Sequence, residues 1–153
     1  MDHHHPTVLH VDDEEDIRVI AKLALETVGG LEVFQCASGS EALEMAPRAN
    51  PDLFLLDVMM PDMDGVQTLK LLRELPGFEH TPAIFMTAKV GAEDQEELLR
   101  CGAAAVIPKP FDPLTVASDI VAMWQTEMGK ARGAAATLAT STSPERSKQV
   151  HDP

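Results

Sequence analysis

The sequence is poor in basic residues, in cysteine and in long apolar runs. Only 12 Lys and Arg stand against 25 Asp and Glu among 153 residues, a net charge of −13. Nucleic-acid binding needs a basic footprint, so no nucleic-acid partner is expected. An anionic lipid surface would repel the chain, and no apolar run approaches a bilayer span, so no membrane association is expected either. The acidic, His-containing start is no signal peptide. Two cysteines, Cys36 and Cys101, lie far apart without a CxxC pairing. That speaks against a zinc module or a disulfide scaffold and favours a reducing, cytoplasmic setting. No internal repeat is visible.

What is present suits one globular domain. Hydrophobic residues make up 44% and charged residues 24%, and the length allows a single core. The composition changes near Gly129. Residues 129–153 carry no aromatic residue and a charge of +2, which leaves −15 on the rest. Such a tail cannot bury enough surface to offset its ordering entropy and is expected to be flexible. Residues 1–6, with His3-His4-His5, are expected to be a flexible start that binds metal weakly at best. The folded domain is thus expected over residues 7–128.

Strand and helix signals alternate through that span. Thr7 to Val11, Glu32 to Cys36, Leu53 to Leu56, Ala83 to Met86 and Ala105 to Ile107 read as strands. The third has no polar alternation, as expected of a strand buried on both faces. Ile17, Ile20, Ala21, Ala24, Leu25 and Val28 recur at helical spacing, and Gly29-Gly30 ends that helix. Ser38 and Glu41 have capping-box spacing for a second helix that stops before Pro51. Val66, Leu69, Leu72 and Leu75 mark a third helix, and Glu93 to Arg100 a fourth, acidic one closed by Gly102. Asp112-Pro113 opens a fifth, bearing Leu114, Val116, Ala117, Ile120, Val121 and Trp124. Five strand–helix units in series predict an α/β, doubly wound five-stranded parallel sheet with helices on both faces. Right-handed crossovers place all strand carboxyl ends on one edge, where such sheets bind ligands.

Those ends carry the chemistry. The first strand ends in Asp12-Asp13, the third in Asp57, the fourth in Thr87-Ala88 and the fifth in Lys109-Pro110. Three carboxylates repel one another unless a cation sits among them. Oxygen-only ligands point to a hard ion, Mg²⁺ before Mn²⁺ or Ca²⁺. A carboxylate beside Mg²⁺ can attack phosphorus and form an aspartyl phosphate. Lys109 and Thr87 would then bind phosphoryl oxygens.

These residues carry a resemblance. Asp12-Asp13, the stretch Asp57-Val58-Met59-Met60-Pro61-Asp62-Met63-Asp64-Gly65, Thr87-Ala88 and Lys109-Pro110-Phe111 resemble, in order, the receiver domain of two-component response regulators. The resemblance covers roughly Thr7 to Met128. It implies a flavodoxin-like, CheY-like fold with strand order 2-1-3-4-5. It implies Asp57 as phosphoacceptor, with Asp13, Asp57 and the backbone carbonyl of Met59 on Mg²⁺ and Asp12 acting mainly through a water. Thr87 and Lys109 would bind the phosphoryl group, and the Lys109–Pro110 bond would be cis. The donor would be a histidine kinase or a histidine phosphotransfer protein. Output would pass to a downstream protein through the face of the fourth helix, fifth strand and fifth helix. The chain would act as a single-domain regulator, not an enzyme in the usual sense, with self-catalysed phosphotransfer and slow autodephosphorylation. It could instead serve as a phosphorelay intermediate.

Some positions depart from the family pattern. Many receivers have Tyr or Phe three residues before the lysine, where this chain has Val106. Met59 and Lys89 occupy the two positions that tune dephosphorylation. Glu14, Glu15 and Asp16 read as acids favoured at a helix N-terminus. A haloacid-dehalogenase-type phosphatase is the enzyme alternative, but it needs a D-x-D motif after the first strand. A flavodoxin-like flavin binder needs a hydroxyl- and glycine-rich loop there, where Asp12 to Asp16 would repel phosphate.

Overall fold

The computed structural model describes residues 5–89 and 91–131. The elements, in chain order, begin with β1 (Thr7–Val11) and α1 (Glu15–Lys22), followed by β2 (Glu32–Cys36), α2 (Gly39–Ala49), β3 (Leu53–Asp57) and α3 (Gly65–Glu74). They continue with β4 (Ala83–Thr87), α4 (Ala92–Arg100) and β5 (Ala105–Pro108), and a last helix, α5, runs over 116–131. All strand pairs are parallel, and the order is β2-β1-β3-β4-β5. Both the architecture and the strand order agree with the expectation.

Alternation along the strands feeds two cores. Leu9, Val11, Phe54, Leu56 and Phe85 point to one face, where Ala42, Ala46, Leu69, Leu72 and Leu98 of α2, α3 and α4 cover them. Val8, Leu53, Leu55, Ile84, Met86 and Ile107 point to the other, under Ala24, Leu25, Val116, Ala117, Ile120 and Trp124. β3 is buried along its whole length, as a central strand between two helical layers must be.

Local chemistry sets the helix starts. Ser38 Oγ accepts a hydrogen bond from the Glu41 amide at 3.1 Å. Glu41 Oε1 accepts from the Ala37 amide at 2.7 Å, one residue before the position a capping box would use. Asp64 and Gln67 form a complete, reciprocal box at the head of α3, and the sequence reading missed it. α2 ends before Pro51 as expected, with Asn50 in the left-handed region at φ 48°. Pro47 lies inside α2, in its exposed last turn. At α5, Asp112 Oδ1 accepts from the Leu114 amide, and its carbonyl accepts from Thr115 and Val116.

Three apolar residues placed on helices lie outside the core. Ile20 and Val28, which share helical spacing with the buried Ala21, Ala24 and Leu25, are 42% and 53% exposed. α1 continues into a π-helical turn over Leu23–Val28, in which the Gly29 amide donates to the Ala24 carbonyl. The wider turn rotates later residues out of the α-helical stripe, so Val28 leaves the core. Leu114, expected on the fifth helix, sits in the turn before it and is 75% exposed. α5 also runs through residues 129–131, past the expected boundary at Gly129. The expected tail beyond residue 131 and the His3-His4 start lie outside the described residues.

Candidate functional site

The sheet order brings the ends of β1, β3, β4 and β5 to one edge. β1 pairs with β3, β3 with β4, and β4 with β5. Asp12 follows β1, and its amide donates to the Cys36 carbonyl. Asp57 closes β3, level with Met86. Thr87 closes β4 one residue further on, and the Lys109 amide donates to its carbonyl at 2.9 Å. Asp12, Asp57 and Thr87 are buried, while Asp13 is exposed. Carboxylate oxygens of Asp12, Asp13 and Asp57 lie within 4.8 Å of one another.

The loop after β3 is held close. The Gly65 amide donates to the Val58 carbonyl at 2.9 Å. A β-carbon at Gly65 would stand 2.3 Å from the Asp57 carbonyl oxygen, so the chain can return over Asp57 only through glycine at this position. The side chain of Met59 is exposed. It borders a groove of about 320 Å³ shared with Thr87, Lys89, Glu97 and Leu98. The Thr87 hydroxyl oxygen accepts from the Lys89 amide at 3.0 Å. The Lys109–Pro110 bond is cis, as the resemblance implied.

Lys109 is the cation at the centre. Its Nζ donates to Asp57 Oδ1 at 3.1 Å, Asp12 Oδ2 at 3.3 Å and Glu14 Oε1 at 3.1 Å. Burial opposes the ammonium charge, but the bond to Glu14 and the charges of Asp12 and Asp57 outweigh it and hold its pKa above the ordinary value. Burial and the neighbouring Asp12 charge push the Asp57 carboxyl up to about 6, against the pull of Lys109. Burial also raises Asp12, although Asp12 Oδ1 accepts from the Glu14 amide. One lysine thus does not neutralise the cluster. A further cation would relieve both raised carboxyls, and an all-oxygen donor set suits a hard ion, so the site fits Mg²⁺ binding.

The sequence reading missed one layer of this site. Glu14 stands at the N-cap of α1, as expected, but its side chain makes no capping bond and reaches Lys109 instead. Arg18 Nη1 donates to the Asp12 carbonyl at 2.8 Å. Gln35 Nε2 donates to the Arg18 carbonyl and lies 3.1 Å from His10 Nδ1. His10 is fully buried. Burial and the charges of Lys109 and Arg18 push its pKa down to about 3, so the ring is neutral near pH 7. A histidine inside an otherwise apolar strand was the signal in the sequence that could have exposed this network. Cys36 is buried and Cys101 exposed, and both are free thiols.

The sequence matches the family model of the response regulator receiver domain over residues 8–121. The chain belongs to that family. This receiver domain is 39% identical over 116 residues to the transcriptional regulatory protein SrrA of Staphylococcus aureus, covering 76% of this chain and 46% of SrrA. It therefore spans less than half of that relative. A 14.6 kDa protein of the sodA1 3′ region of Leptolyngbya boryana is 40% identical over 107 residues, 70% of this chain and 81% of that one. Among solved structures, chemotaxis response regulator CheY4 of Vibrio cholerae aligns with a TM-score of 0.72 at 32% identity, covering 78% of this chain and 99% of that one. The receiver domain of Francisella response regulator 1452 aligns at 0.70 and 30% identity, covering 79% and 98%. Receiver domains are phosphoacceptors of two-component systems rather than enzymes in the usual sense, and the acidic pocket of this one suits that role. The haloacid-dehalogenase-type alternative has no support from the matched family. No helix among the described residues is long and apolar enough to cross a membrane.

Proposed function

We propose that this receiver domain takes a phosphoryl group onto Asp57 from the phosphohistidine of a histidine kinase or histidine phosphotransfer protein. The observation that carries this reading is the Asp57 carboxylate, buried at a strand end among two further carboxylates and 3.1 Å from Lys109 Nζ. An Asp57 oxygen forms the new bond to phosphorus while the phosphorus–nitrogen bond of the donor breaks. The departing imidazole keeps the electron pair and takes a proton from solvent. Asp12, Asp13, Asp57 and the Met59 carbonyl would hold Mg²⁺, with Asp12 acting mainly through a water. When bound, the ion supplies positive charge to the phosphoryl oxygens.

Lys109 turns its ammonium from carboxylate to phosphoryl oxygen, and the Thr87 hydroxyl donates a hydrogen bond to another. The Thr87 oxygen accepts the Lys89 amide, which leaves its own proton to be aimed at the phosphoryl group. Transfer is self-catalysed, because the groups that bind the phosphoryl oxygens all belong to this chain. Output passes to a cytoplasmic protein through the face of α4, β5 and α5. The acidic α4, with Glu93 and Asp94 in its first turn, suits a basic partner surface.

The test is transfer of labelled phosphoryl from a phosphorylated histidine protein in the presence of Mg²⁺. Label should move to this chain as an acyl phosphate and should fail to move to Asp57→Asn. Label on a histidine, or undiminished label on Asp57→Asn, would overturn the assignment.

A further inference from the structure

Lys109 Nζ has three protons, and the structure places three acceptors around it: Asp12, Asp57 and Glu14. The ammonium is fully subscribed before any phosphoryl oxygen arrives. To bind one, Lys109 must let go of a partner. Asp12 and Asp57 are fixed at strand ends, with side chains 0% and 4% exposed. The Glu14 side chain is 59% exposed and can exchange Lys109 for water at little cost. Its place is not accidental, because the Glu14 amide is tied to Asp12 Oδ1 at 2.9 Å, which holds the residue beside the pocket.

We infer that Glu14 is a positioning residue of the phosphoacceptor site: it holds Lys109 in the unphosphorylated arrangement and competes with the phosphoryl group for the ammonium. This rests on the phosphoacceptor reading and adds to it a brake on phosphoryl retention. Removing the carboxylate frees one Lys109 proton and strengthens the phosphorylated state. Glu14 makes no capping bond to α1, so truncating it leaves the helix start intact.

The test measures beryllofluoride binding, a phosphoryl mimic, by calorimetry on the full chain with saturating Mg²⁺. Glu14→Ala should bind about twofold to fivefold more tightly than the unaltered chain, the range expected for losing one exposed ion pair. Glu14→Asp keeps the charge but is one methylene shorter, so it should bind like Glu14→Ala. In metal-free NMR spectra, the Lys109 Cε resonance of both variants should already lie shifted toward its beryllofluoride-bound position. Equal affinity in all three chains would overturn the inference. So would an Asp variant that behaves as the unaltered chain, since that would make charge alone the cause. Absence of binding by the unaltered chain would instead overturn the phosphoacceptor reading, and this inference with it.

Discussion

Asp57 is expensive to ionise without a metal. An ordinary aspartate titrates near 3.8, and Asp57 in the fold at about 6, so the folded state holds this proton more tightly than the unfolded one. The stability this carboxyl contributes is complete below about pH 4 and is lost as the pH rises through about 6. Asp57→Asn removes the charge at every pH. In metal-free buffer near pH 7.5 it should be more stable than the unaltered chain by about 1–3 kcal/mol, with the gap closing near pH 4 and narrowing when Mg²⁺ is added. Urea unfolding at both pH values checks this, and an unchanged gap would show that the site is not strained by charge. The two thiols give a second check. Cys101 is exposed, whereas burial pushes Cys36 up to about 11. A thiol reagent should modify one cysteine in the native chain and the second only on unfolding; two native modifications would contradict the packing of β2. The meeting of Asp12, Asp13, Asp57, Thr87 and Lys109 on one edge was legible because they stand at the ends of four strands in a fixed order. Glu14 was not, since it sits in a run of five acids and any helix start explains it. Its meaning comes from Lys109, 95 residues away in the chain.

The elements show where periodicity suffices and where it does not. Strands were legible because short segments, mostly apolar and bounded by turn residues, are too brief for a helix of their own and alternate with helical periodicity. The π-helical turn at Leu23–Val28 was not, because its sequence LALETV carries no signal that separates an i→i+5 turn from an α-helical one. Exposure of Val28 followed from that geometry and not from its side chain. Two substitutions test the energetics at this scale. Pro47 lacks the amide that would bond the Leu43 carbonyl, and its ring crowds that oxygen. Pro47→Ala should therefore raise stability, by about 1–2 kcal/mol after allowing for the greater freedom of the unfolded chain. Gly65→Ala should lower it by about 1–3 kcal/mol, because the new methyl would meet the backbone of β3. Thermal melts read both, and a neutral Gly65→Ala would show that the loop after β3 can move aside for a methyl group.

The whole molecule converts strand order into a site. With order β2-β1-β3-β4-β5, residues from four places in the chain meet on one edge, while two separate cores hold the sheet rigid beneath them. Receivers with an aromatic residue three positions before the lysine can answer phosphorylation with a ring. In this chain Val106 is half-buried against the core on the α2–α4 side and is too short and stiff to follow Thr87. The response should therefore rest on Thr87, Ala88, Lys89 and the start of α4, because a two-state element moves only through differential contacts. NMR shifts on adding beryllofluoride should be largest there, and larger shifts on α2 and α3 would contradict this path. The central claim is that the three carboxylates at the strand ends form a metal-dependent phosphoacceptor at Asp57. It is tested most directly by mass spectrometry of the intact chain after exposure to a small phosphodonor. One phosphoryl adduct should appear with Mg²⁺, map to Asp57, and vanish with chelator or in Asp57→Asn; an adduct that survives both, or maps elsewhere, would contradict the account.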